Sequence, residues 1–171
     1  MQISQVKQDI DEWIINFLAV PNEKLNGWSP CPYAHAAINK QSYKTFIGYD
    51  LETDLNDIST HCLKPDEVVI IAYSKNQYSN PDAFFESIKE INDFLLTNRN
   101  LIALGDHPNT VEEVNGVNFN QGKYALVLVQ NLNDLNTKSK KVAKAGFYNN
   151  WPENYLTDIF LHREDPRASA K

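Results

Sequence analysis

Apolar residues recur at three- and four-residue steps at the start of the chain. Ile3, Val6, Ile10, Trp13, Ile14 and Phe17 share one helical face. This predicts an amphipathic helix over residues 4–19, with Ser4 as N-cap and Pro21 as its stop. Residues 21–30 are rich in breakers and carry Leu25 and Trp28, so burial of those two requires an ordered loop. A second helix is expected to begin near Cys31 or Pro32, because proline suits the first helical position, where its missing N–H has no intrahelical partner. Ala34, Ala36 and Ala37 propagate it to about Asn39. Aromatic and β-branched residues from Tyr43 to Tyr49 predict a strand, and Leu55, Ile58 and Cys62 fit a short helix before the turn at Pro65-Asp66.

The run Val68-Val69-Ile70-Ile71-Ala72-Tyr73 is continuously apolar and predicts a central strand buried on both faces. Asn80 then caps a helix with Pro81 in its first position and Phe84, Ile88, Ile91 and Leu95 on one stripe, ending near Asn98. Leu101–Leu104 is a short strand closed by Gly105-Asp106-His107-Pro108-Asn109. Residues 109–122 form a polar connection with turn signals at Asn115-Gly116 and Gln121-Gly122. Tyr124–Gln130 is the second strong strand, and Asn131 or Asn133 caps a helix to about Ala145, with Gly146 past its end. Residues 148–161 combine a Trp-Pro turn with a helix carrying Tyr155, Leu156, Ile159 and Phe160. The expected fold is a single α+β domain over residues 1–171, built on a mixed or antiparallel four-stranded sheet with extra helices at both ends. From Val68 to Ala145 the order matches most of a split βαβ, ferredoxin-like arrangement, with helices covering one face of the sheet.

Composition narrows the function classes. The chain has 171 residues, enough for a core without covalent staples. A formal net charge of −6 argues against general binding to a phosphate backbone. Lys138, Lys140, Lys141 and Lys144 form a local basic group, read as a solvated helix face. No apolar run approaches the roughly 18 residues of a membrane span, and no secretory signal opens the chain. Two cysteines, Cys31 and Cys62, fit a reduced, cytoplasmic protein. A small-molecule ligand is the expected partner, and the sequence indicates neither a cofactor nor an oligomeric state.

Pro30-Cys31-Pro32-Tyr33-Ala34-His35 is the most suggestive stretch for chemistry. A thiol at a helix N-terminus meets unsatisfied N–H groups and the helix dipole, which favour a thiolate. His35 stands one turn later on the same face, as a base or a charged partner. The bland alternative is a small buried hydrophobe. Cys31 and His35 could also begin a metal site, with His61, Cys62, His107 or His162 as further ligands, although no CxxC or HExxH spacing appears. Asp106-His107 follows a strand directly, where open sheets bind ligands, and a carboxylate beside an imidazole suits base and orienter. Arg163 and Arg167 suit an anionic ligand. GxGxxG, P-loop and GxSxG fingerprints are absent.

Cys31-Pro32-Tyr33-Ala34 resembles the Leu-Cys-Pro-Phe-Ala motif near the start of an uncharacterised bacterial protein family of similar length. In that family a Trp-bearing helix precedes the motif, as Trp13 does here, and a His-Pro step follows, matched by His107-Pro108. The family's terminal Asn-Arg-Ser-Pro-Tyr-Pro and Leu-Leu-Arg-Glu-Ala-Ser stretches are similar to Asn149-Asn150-Trp151-Pro152 and Leu161-His162-Arg163-Glu164, with Ala168-Ser169 further on. Tyr33 stands in place of Phe, and Asp165-Pro166-Arg167 is inserted. The resemblance supplies no reaction, but it groups Cys31, His107, Arg163 and Glu164 as one site. The resulting expectation is a small enzyme acting on a small anionic molecule. Cys31, with His35 or His107, would do the chemistry, and Arg163 and Glu164 would bind. The alternatives are a binding or accessory protein with a structural Cys-Pro segment, and a Cys/His metal protein.

Overall fold

The computed structural model describes residues 1–167. Its strands are β1 (Tyr43–Ile47), β2 (Val68–Ser74), β3 (Leu101–Asp106), β4 (Glu113–Val114), β5 (Val117–Asn118) and β6 (Tyr124–Asn131). Four of them form a mixed sheet in the order β1-β2-β6-β3, and β4 and β5 pair separately. β1 runs parallel to β2, with Tyr43 opposite Val68. β6 runs antiparallel to both its neighbours, with Val127 opposite Ile71 and Val129 opposite Ala103. The helices are α1 (Ile3–Trp13), α2 (Ala34–Lys40), α3 (Leu51–Ser59), α4 (Pro81–Ile91), α5 (Leu132–Lys144) and α6 (Glu153–Ile159). Among the described residues, none is long and apolar enough to cross a membrane.

The period of two in the strands divides the core. Val69, Ile71 and Tyr73 of β2 pack with Ala125, Val127 and Val129 of β6 against Leu51 and Leu55 of α3 and Phe84 and Ile88 of α4. Ile70, Ala72 and Leu126 point the other way, onto Val6, Ile10 and Ile14 of the first helix and Ala34 of α2. The sheet is therefore covered on both faces, which corrects the expectation of helices on one face only. The continuous apolar run of β2 already required this, since a strand with one wet face alternates.

β2, α4 and β3 form the split unit predicted from Val68 onward, with β6 between the two parallel strands. A complete ferredoxin-like sheet would place an antiparallel strand from after α5 beside β2. Here that place holds β1, which is parallel and comes earlier in the chain.

Local signals set most boundaries. Asn80 accepts hydrogen bonds from the N–H groups of Asp82 and Ala83 at 3.0 and 3.3 Å, and Asn131 accepts from Asp134 at 3.0 Å, as side-chain caps do. Ser4 is not a cap: α1 starts one residue earlier, after Gln2, with no side-chain bond. α1 continues as a π-helical segment over Ile14–Leu18, and α4 continues as another over Asn92–Leu96. The polar connection of residues 109–122 contains the β4–β5 hairpin, which turns on Asn115 and Gly116, both with positive φ. The hairpin buries Val114, Val117 and Phe119 against Leu25, so the breaker-rich loop of residues 21–30 is ordered where Leu25 anchors it. Trp28 and Trp151 join this cluster to a second one of Ala143, Phe147, Tyr148, Leu156 and Phe160.

Candidate functional site

A cavity of about 250 Å³ lies between the α1/α2 side of the sheet and these two aromatic clusters. Its walls come from Trp13 and Ile14, the Pro30-Cys31-Pro32 turn, Leu104 and Leu128 on the sheet, and Phe119, Phe147 and Trp151. The aromatic wall is continuous: the Phe119 and Trp151 rings lie 5.5 Å apart and the Phe147 and Trp151 rings 5.0 Å apart. Against this mostly apolar surface stand a few polar groups, notably Arg163, Asp106, Glu112 and Tyr155.

Arg163 follows α6 and its guanidinium lies over the Phe160 ring at 5.1 Å. Its Nη2 donates to Ser139 Oγ on α5, and Ser139 also lies 3.2 Å from the Tyr33 hydroxyl. Arg163 Nε is buried with no partner, and among the described residues no carboxylate forms an ion pair with it. Burial pushes the guanidinium below its usual pKa, opposed by the neighbouring Tyr148 and Tyr33 hydroxyls. Arg163 is half-buried overall, and a partly desolvated cation without an anion is unfavourable unless something else supplies the charge.

The carboxyls gather around the end of β3. Asp106 is 5% exposed, and its Oδ2 accepts from Gln121 N–H at 2.9 Å while its Oδ1 has no partner. Burial raises its pKa to about 6. Glu112 is raised to about 8, first by burial and then by Asp106, with the Tyr155 hydroxyl pulling it back. Burial and the two carboxyls push Tyr155 well above its ordinary value.

Cys31 lines the same cavity. α2 starts only at Ala34, so the thiol precedes the helix rather than opening it. The N–H groups of Tyr33 and Ala34 do favour the thiolate, as a helix start would, but burial outweighs them and pushes the Cys31 thiol up.

The remaining expected site residues lie elsewhere. His35 is exposed, its Nδ1 paired with Asn39 Nδ2 at 3.2 Å. His107 is fully buried on the α4 side, with Nε2 bonded to the Tyr78 carbonyl at 2.6 Å and Nδ1 accepting from Asn109 N–H at 3.2 Å. The Phe84 and Phe85 rings pack beside it. Glu164 is exposed and paired with Lys140. Arg167 is tied to Asp165 and Glu153. The structure thus joins Cys31 with Arg163, and brings neither His35, His107 nor Glu164 to the cavity. The Ala168-Ser169 step lies outside the described residues.

Sequence reasoning paired Asp106 with His107 and passed over Glu112, Tyr155, Tyr33 and Ser139. One signal was available: in β3, Ile102, Leu104 and Asp106 share a face by the period of two, and His107 must take the other. Among the described residues, no three His, Cys, Asp or Glu side chains are grouped so as to hold a metal ion. No protein-family model matches the chain, and comparison with curated proteins and with solved structures returned no match.

Proposed function

We propose that this protein binds a small organic anion with an apolar, ring-sized body in the cavity beside Cys31. The observation that carries this reading is Arg163, a half-buried cation lining an aromatic-walled cavity, its Nε shielded from water and no carboxylate paired with it among the described residues. A ligand carboxylate would supply the missing charge and accept from the free Nε. Size supports the same class. A dry cavity of about 150 Å³ can hold benzene, so about 250 Å³ accommodates one ring with polar substituents.

Cys31 acts in this reading as a neutral wall rather than as a nucleophile. Its thiol is held protonated by burial, and neither His35 nor His107 lines the cavity beside it. The likeness to the Cys-Pro family supports the grouping of Cys31 with Arg163 and adds no reaction.

Calorimetric titration with para-toluate, a ring carrying one carboxylate, tests the proposal. The expected Kd is about 1 mM or tighter, from roughly 0.4–0.5 kcal/mol per heavy atom. Arg163→Met, which removes the charge and keeps an apolar stem, is expected to weaken binding at least about tenfold. It should leave the fold intact, because it replaces a half-buried cation that has no carboxylate partner among the described residues by an apolar group that can still pack on Phe160. Equal binding by wild type and Arg163→Met, or no binding by wild type, would refute the proposal.

A further inference from the structure

The cavity has a second polar pole, and it differs in kind from the first. Asp106 and Glu112 enter the lining from the end of β3 and from the connection that follows it, and Tyr155 enters from α6. Asp106 is buried to 5% exposure, yet its Oδ1 reaches no donor. Arg163 does not satisfy it: the guanidinium bonds Ser139 and sits beside Tyr33 and Tyr148, and it contributes to neither carboxyl's shift. Buried polar atoms find partners as a rule, so an acceptor left empty at a cavity wall marks the place of a missing donor.

We infer that the ligand is bipolar: a carboxylate held by Arg163, an apolar ring along the Phe119–Phe147–Trp151 wall, and an ammonium group received by Asp106 and Glu112. This inference rests on the anion-binding reading above and extends it to a substrate class, amino-substituted aromatic acids. Charge complementarity favours an ammonium over a neutral hydroxyl. Burial raises both carboxyls, and Asp106 raises Glu112 further; a cation beside them would favour the charged form of each and offset the repulsion between them. The arrangement also discriminates: a simple aromatic acid would leave the Asp106 acceptor unfilled, and a simple amine would leave Arg163 unpaired.

The test compares para-toluate with para- and meta-(aminomethyl)benzoate by titration calorimetry at pH 7.5, using wild type, Asp106→Asn and Glu112→Gln. At least one aminomethyl compound is expected to bind about tenfold or more tightly than para-toluate, as a charge-assisted hydrogen bond allows. Both variants should lose most of that advantage, and circular dichroism with thermal unfolding should show that they fold. If para-toluate binds and neither aminomethyl compound binds better, the second pole is wrong and the Arg163 reading stands. If the advantage persists in both variants, these carboxyls are not its source and the inference fails. If no probe binds wild type, both readings fall. Should one variant not fold, the other decides in its place, with the same two outcomes.

Discussion

The two faces of the central sheet are built from the same strands and finish differently. On the α3/α4 face, the buried polar groups that pack against β2 and β3 are paired. Asn92 donates to the Ala103 carbonyl at 2.9 Å and accepts from its N–H at 2.8 Å, pairing the outer edge of β3. The Tyr73 hydroxyl donates to Asp54 at 3.0 Å, and both nitrogens of His107 are occupied. On the opposite face, three of the described buried polar atoms without partners, Asp106 Oδ1, Arg163 Nε and Trp13 Nε1, belong to residues that line one cavity, whereas others such as Asn136 Oδ1 and His162 Nε2 lie away from it. What sets the open face apart is that its unfinished hydrogen bonds surround an apolar void, the arrangement of a place that awaits a ligand.

The largest effect should come from the closed face. Phe84 is 1% exposed, and Phe84→Ala is expected to lower unfolding stability by about 3–5 kcal/mol, read from urea denaturation. The loss should be much smaller if the α3/α4 layer is loosely packed. Asn92→Leu comes next, at about 2–3 kcal/mol, because it leaves an edge-strand N–H and C=O unpaired. A loss under about 0.5 kcal/mol would show that water replaces the Asn92 side chain there and that the face is not closed.

The open face should respond to pH. Asp106 is raised from 3.8 to about 6 and Glu112 from 4.5 to about 8. At these two sites the folded state holds protons that the unfolded state has released, so their contribution to stability is fullest at low pH and is lost as pH rises from about 4 to 8. Glu112→Gln removes part of that fall. It should raise stability at pH 8 by on the order of 1–2 kcal/mol and change little at pH 4. A slope that stays the same in this variant would place the titration elsewhere.

The smallest effect is assigned to Cys31. Cys31→Ser should change stability by less than about 1 kcal/mol, as expected for a cavity wall with space beside it. Iodoacetamide at pH 8 should label the exposed Cys62 well before Cys31. Preferential labelling of Cys31 near pH 7 would restore the activated thiolate.

How much of this was readable in the chain depends on the range of the forces involved. Strands β2 and β6, and the helices capped by Asn80 and Asn131, follow from periodicity and neighbouring side chains, and the sequence reading found them. Their placement did not follow: β1 pairs with β2 through a crossover, and nothing local fixes whether an edge strand is added parallel or antiparallel. The site shows the same limit. Cys31 and Arg163 were singled out for their chemistry, and their meeting depends on how α6 folds back across α5, where Arg163 reaches Ser139. His35 and His107 attracted attention as imidazoles, yet one faces solvent and the other completes the closed face. Glu112 was unreadable because it sits in a polar connection, and its place in the cavity wall depends on how the β4–β5 hairpin docks on Leu25 and the aromatic cluster.

The central claim is that the open face is a binding site organised by Arg163. A crystal of the protein soaked with para-iodobenzoate tests it most directly, because the iodine locates the ligand by its anomalous signal. The account predicts the ring in the cavity between Phe119, Phe147 and Trp151, with its carboxylate on the Arg163 guanidinium. Iodine found only at other surfaces, or an empty cavity at saturating ligand, would contradict it.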